Sequence, residues 1–151
     1  MLIFLDIDGV MVPAMSWKTP QNLEDGIPMF TEKATSALKS LISNNTSIIL
    51  STSHRSRFPI SEWKRIFERR GIKINKLSRL EPNRDLLKSR KDEIMEWFSM
   101  NNVVEDYVII DDDTRLNALP KDLKERLILT SSTVGLTPED ITNYRNRLHF
   151  A

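Results

Sequence analysis

The chain predicts an α/β fold in which a parallel sheet is flanked by helices on both faces, and two observations lead there. Short β-prone apolar runs alternate with stretches whose apolar residues recur at helical spacing. The two most apolar runs, Leu2-Ile3-Phe4-Leu5 and Tyr107-Val108-Ile109-Ile110, both stop in carboxylates: Asp6 and Asp8 after the first, Asp111-Asp112-Asp113 after the second. Open α/β sheets place their chemistry at the carboxyl ends of the strands, so fold and acids point the same way.

Each element has its own justification. After the first strand, Met11 to Met29 reads as a loop with Pro13, Pro20, Gly26 and Pro28, and with Trp17 either covering the core or lining a site. Phe30, Ala34, Ala37, Leu38, Leu41 and Ile42 form one apolar stripe, which predicts a helix with Thr31 as N-cap and Asn44-Asn45 as its stop. Ser47 to Leu50 is the second strand. Ser61 is expected to cap a helix that buries Trp63, Ile66 and Phe67 and ends at Gly71. Ile72 to Ile74 is expected as a short third strand, followed by irregular chain from Arg79 to Leu87 around Pro82. A helix from about Ser89 to Met100 buries Ile94, Trp97 and Phe98 and leads into the fourth strand. A turn or short helix around Pro120 precedes a fifth strand, Arg126 to Thr130. The last helix opens on Thr137-Pro138-Glu139-Asp140, with Thr at N-cap, Pro at N1 and an acid at N3.

At 151 residues the chain is read as one domain, 1–151, long enough for a single sizeable core. Its 40% hydrophobic and 28% charged content is that of a soluble globular protein. Lys and Arg (22) nearly balance Asp and Glu (21), so no overall field favours nucleic acid. Basic residues do cluster between Arg55 and Arg90, among them Arg57, Lys64, Arg65, Arg69, Arg70, Lys73, Lys76, Arg79 and Arg84. They are either solvated helix faces and loops or a local field for a phosphate-rich polymer. The absence of cysteine excludes thiol nucleophiles, thiolate zinc sites and disulfides. With His54 and His149 as the only histidines, a histidine-rich metal site is excluded too. No secretory leader and no run of membrane-spanning length is present, so the expectation is a cytoplasmic protein without a membrane partner.

Asp6 and Asp8, one residue apart at a strand end, either repel or share a cation. Mg²⁺ suits them, because it takes a few carboxylates and lets substrate phosphate complete its shell. A turn or a helix cap would explain either acid cluster alone, but the coincidence of both favours the metal. Ser51, Thr52 and Ser53 close the second strand, with Arg55 just beyond, a composition that suits a phosphate oxygen or a simple turn. Arg90 and Lys91 stand at a helix start, where the macrodipole prefers acids; they are either solvated or reserved for an anion.

In this order the motifs resemble the haloacid dehalogenase (HAD) superfamily of phosphotransferases. Leu5 to Val10, Ser51 to Arg55, Arg90 with Glu93-Ile94 and Trp97, Tyr107 to Asp113, and Gly135-Leu136-Thr137 are most similar to a capless branch related to the HAD domains of Swiss Army Knife RNA repair proteins. Response-regulator receivers are excluded by order, since their acid pair precedes the phosphorylated Asp and here it follows. The resemblance implies a Rossmann-like three-layer α/β/α sandwich with a mainly parallel five-stranded sheet, order 5-4-1-2-3, and no cap domain. It further implies a Mg²⁺-dependent phosphatase in which Asp6 is the nucleophile that forms an aspartyl phosphate and Asp8 is the general acid and base. Asp6, Asp111 or Asp112 and the backbone carbonyl of Asp8 would hold Mg²⁺. Thr52 is the first choice for the phosphate-binding hydroxyl, ahead of Ser53 and Ser51, with Gly9 beside the substrate. Arg90 would neutralise the transferred group, Arg55 could add a second cation, and Lys91 or Lys88 could replace Arg90. His54 and Lys91 depart from the branch, which tends to have Trp and Gly there.

Neither Met11–Met29 nor Arg57–Ser89 leaves room for a folded cap, so the site is expected to be open. Open sites suit phosphates on a polymer end or a protein, and the resemblance favours nucleic-acid ends as the phosphorylated partner. Two alternatives remain at this level: a silent phosphate- or partner-binding module, and a small-metabolite phosphatase capped by oligomerisation.

Overall fold

The structure, a computed structural model, describes residues 1–14, 25–81 and 88–149; Trp17, Pro82 and Arg84 lie outside them. The elements follow in the order β1 (Leu2–Leu5), α1 (Glu32–Leu41), β2 (Ser47–Leu50), α2 (Ile60–Arg69), β3 (Lys76–Arg79), α3 (Arg90–Met100), β4 (Tyr107–Asp111), a 3₁₀ turn (Thr114–Ala118), α4 (Lys121–Lys124), β5 (Leu127–Leu129) and α5 (Pro138–His149). All five strands are parallel, in the order β3-β2-β1-β4-β5, which is the predicted order seen from the other edge. No cap is inserted among the described residues.

Strand alternation divides the core in two. Ile3, Leu5, Ile48, Leu50, Val108 and Ile110 face the side covered by Ala34 and Leu38 of α1, Trp63, Ile66 and Phe67 of α2, and Ile141 and Tyr144 of α5. Phe4, Ile49 and Ile109 face the other side, under Ile94 of α3, Leu116 of the 3₁₀ turn and Leu123 of α4. Each fully buried aliphatic residue contributes about 1.5–3 kcal/mol, which is what holds three layers together at this size. Phe4 anchors the second face, meeting Trp97 edge-on at 4.9 Å and Phe98 at 5.3 Å. Trp97 and Phe98 are themselves only half-buried, because α3 lies at the margin of that layer.

Three helix starts follow from capping. Thr31 Oγ1 accepts the Ala34 amide, while Ser89 with Asp92 and Thr137 with Asp140 form reciprocal capping boxes. The start of α2 differs from expectation. Pro59, not Ser61, is its N-cap, and the Pro59 carbonyl accepts both Glu62 and Trp63 amides at 3.0 Å. The third strand is also displaced. Ile72 and Ile74 are buried plugs beneath the sheet, and pairing begins only at Lys76, where the chain runs beside β2. The fifth strand is shorter than expected, Leu127–Leu129.

Candidate active site

Register assembles the site before any side chain is considered. Leu50 of β2, Leu5 of β1 and Ile110 of β4 lie abreast, so Ser51, Asp6 and Asp111 follow abreast at the carboxyl edge of three adjacent strands. The ladder continues through this row, with the Ser51 amide donating to the Leu5 carbonyl at 2.9 Å and the Asp6 amide to the Ile110 carbonyl at 3.1 Å. Alternation puts the row on the α3 side, two residues beyond Ile49, Phe4 and Ile109. Chain segments more than 40 residues apart in sequence thereby meet in one place.

Asp6, Asp111 and Asp112 each bring an oxygen within 4.8 Å of the others. Asp6 and Asp111 are buried and Asp112 is half-buried. Gly9 makes room for the third acid. A Cβ there would stand 2.0 Å from Asp112 Oδ2, and φ is +77°, so both space and backbone demand glycine. Thr130 Oγ1 donates to the Gly9 carbonyl at 2.7 Å and fixes this turn from the end of β5. Gly135 seats the same turn: its amide neighbour Leu136 donates to the Val10 carbonyl at 2.8 Å, and a Cβ on Gly135 would come 2.6 Å from that oxygen. Asp113 is not part of the trio, since it caps the 3₁₀ turn and holds Arg115 at 2.9 Å.

Arg90, the first residue of α3, reaches into the trio, with Nη1 2.5 Å from Asp111 Oδ2 and 3.7 Å from Asp6 Oδ2. Glu93, one turn on, lies 3.9 Å from Arg90 Nε and pairs on its other oxygen with Arg55. Arg55 is placed differently from a substrate cation. It is buried and donates to the carbonyls of Leu80 (3.0 Å), Thr52 (3.1 Å) and Glu81 (2.8 Å) as well as to Glu93, so it braces the scaffold under Arg90. Lys91 is half-buried beside Arg90 in sequence but has no side-chain contact to the trio, and Lys88 pairs with Glu96.

The three hydroxyls also separate. Ser51 Oγ is buried without a hydrogen-bond partner, Thr52 Oγ1 accepts the His54 amide at 3.2 Å, and Ser53 is exposed. Among the described residues, Arg90 Nε is the other buried side-chain polar atom without a hydrogen bond, although Glu93 Oε1 lies 3.9 Å from it. Buried polar groups without partners are uncommon, and the Ser51 hydroxyl, abreast of Asp6, suits an oxygen-rich ligand. The carboxylate of Asp8 lies outside the trio, because the chain turns at Ile7, whose carbonyl accepts the amides of Val10, Met11 and Val12. Asp8 Oδ2 instead meets His54 Nε2 at 2.9 Å.

Crowded carboxylates shape the electrostatics. Burial, then the neighbouring Asp111, push Asp6 up to about 8, against the opposing pull of Arg90. Burial and Asp111 raise Asp112 as well. Burial works against the charge of Arg90, yet Asp111 and Asp6 outweigh it and raise the guanidinium. Arg115 holds Asp113 low through its hydrogen bonds. Arg90 reaches only Asp111 and Asp6 of the three carboxylates, which leaves a deficit of positive charge, and an all-oxygen donor set with few protein ligands fits Mg²⁺.

The basic cluster read between Arg55 and Arg90 is largely consumed internally. Arg70 grips Asp25 and three carbonyls, Arg79 holds the carbonyls of Arg55 and Phe58, and Arg65 and Arg69 pair with Glu62. Arg57, Lys73 and Lys76 are its exposed members without an ion pair among the described residues.

Strand order and acids on adjacent central strands are those that the resemblance implies. The family model of the HAD domain in Swiss Army Knife RNA repair proteins matches residues 2–141, and the chain belongs to this family. Neither the curated proteins nor the solved structures gave a significant match.

Proposed function

We propose that the protein is a Mg²⁺-dependent phosphomonoester hydrolase that works through an aspartyl phosphate on Asp6. The observation that carries this reading is the trio of Asp6, Asp111 and Asp112, with oxygens within 4.8 Å and Arg90 inserted among them. Asp6, Asp111 and Asp112, with the Asp8 carbonyl, would hold Mg²⁺, which when bound offsets the charge that otherwise keeps a carboxylate away from a phosphate dianion. Asp6 is oriented for attack by the Ile7 amide, which donates to Oδ1 at 2.8 Å, while Oδ2 lies 3.7 Å from Arg90 Nη1. Arg90 receives the transferred group's oxygens, and the Ser51 hydroxyl, which has no hydrogen-bond partner of its own, gains one there. This favours Ser51 over Thr52 as the phosphate-binding hydroxyl. Asp8, free of the trio, is the acid that protonates the leaving oxygen and then the base that activates water.

Without a cap to enclose a small ester, selection falls to the rim of the site, and a large phosphorylated substrate such as a nucleic-acid end is the favoured class. The test is turnover of p-nitrophenyl phosphate with and without Mg²⁺, beside a panel of phosphorylated oligonucleotides and small phosphoesters. Wild type is expected to be active only with the metal, and Asp6→Asn to fall by about a thousandfold or more. Unchanged activity in Asp6→Asn removes the nucleophile assignment; an inert wild type supports a silent binding module instead.

A further inference from the structure

The contact between Asp8 and His54 is not required by the acid trio, and it joins turns that follow different strands. Asp8 Oδ2 and His54 Nε2 are 2.9 Å apart, with side chains 57% and 48% exposed. The ring is presented by a fixed backbone. The His54 amide donates to Thr52 Oγ1 at 3.2 Å, its carbonyl accepts the Arg57 amide at 2.9 Å, and the intervening Arg55 is tied down at four acceptors.

We propose that His54 is a positioning residue for Asp8: it holds the carboxyl at the open mouth of the site, where the leaving oxygen departs. This rests on the phosphatase reading and adds a specificity to it, toward esters whose leaving groups need a proton. In the first half-reaction an Asp6 oxygen bonds to phosphorus, the ester P–O bond breaks, and the Asp8 proton goes to the departing oxygen. In the second, water gives its oxygen to phosphorus and a proton to Asp8, and the Asp6–phosphorus bond breaks. Asp8 is thus a carboxylic acid before one step and a carboxylate before the next. Nε2 can accept or donate a hydrogen bond, so it can hold Asp8 Oδ2 at 2.9 Å whichever of the two groups carries the proton.

The experiment compares kcat/KM, which reads steps through ester cleavage, for an alkyl phosphate and for p-nitrophenyl phosphate. Alkoxides depend on the proton from Asp8, whereas p-nitrophenolate leaves without it. His54→Phe is expected to lower kcat/KM on the alkyl ester about tenfold, the size of one hydrogen bond, and to change the aryl ester less than about twofold. His54→Gln, whose side-chain amide reaches the Nε2 position and can either donate or accept after a flip, is expected to recover most of the loss. The residue is half exposed, so thermal unfolding of both variants should match wild type. Equal losses on the two esters, no loss on either, or a His54→Gln variant no better than His54→Phe overturns the positioning role alone. A wild type inert on both esters with Mg²⁺ overturns the phosphatase reading and this role together.

Discussion

Asp6 sits where a carboxylate is hardest to ionise and where ionisation matters most. Its folded-state pKa of about 8 lies above its ordinary value of 3.8, so between these limits the folded protein binds a proton that the unfolded chain has released. Stability must then fall as pH rises through that window, because the unfolded state binds fewer protons. Metal-free protein is therefore expected to lose thermal stability from about pH 4 to about pH 8. Added Mg²⁺ should raise Tm more at pH 8 than at pH 5, and Asp6→Asn should flatten the profile. Scanning calorimetry at four pH values, with EDTA and with Mg²⁺, checks all three. The acids were legible in the sequence because carboxylates closing two apolar strands have few uses. The fate of Arg55 was not, because its partners are the carbonyls of Leu80, Glu81 and Thr52, and every residue has a carbonyl. Thr130 was silent for the same reason, since it reaches a backbone oxygen 121 positions away.

Among the elements, α3 matters most to the site, since its first residue is Arg90 and its first turn holds Glu93. The Ser89–Asp92 capping box fixes where that helix begins and hence how far Arg90 reaches. Ser89→Ala is expected to cost about 1 kcal/mol in urea unfolding and to lower activity beyond what that loss explains. Helices were the more legible elements, as three of them open on side-chain caps that occupy fixed offsets from an apolar stripe. The strand at the edge was the least legible. Lys76–Arg79 pairs on one side only and alternates between exposed and half-buried, so its composition looks like a loop, while the apolar Ile72 and Ile74 belong to the core beneath. Ser61 misled because Pro59 already supplies the fixed φ and the carbonyl that begin α2.

At the scale of the molecule, Arg70 is the fastener between the chain entering α1 and the end of α2. Its guanidinium holds both oxygens of Asp25 at 2.9 and 3.0 Å, accepts burial among the carbonyls of Ile27, Pro28 and Ile66, and lies 5.0 Å from the Phe30 ring. Its hydrogen bonds hold Asp25 down to about 2, so the clamp stabilises the fold above the ordinary carboxylate range and lets go as pH falls through that value. Arg70→Ala leaves Asp25 without its partner and is expected to destabilise by about 3–5 kcal/mol, measured by urea unfolding at neutral pH. Part of that loss should vanish as pH falls through about 2, where Asp25 becomes neutral in the wild type as well.

The first strand is the middle of the sheet. Leu2–Leu5 has no partner until Ser47–Leu50 is made, no second neighbour until Tyr107–Ile110 follows, and the turn at Gly9 is not secured until Thr130. A chain made in sequence order carries Asp6 long before Asp111 and Asp112, so the three acids come together only once β4 has paired with β1. Fragments that stop short of β4 consequently lack the acid trio, which forms late and all at once.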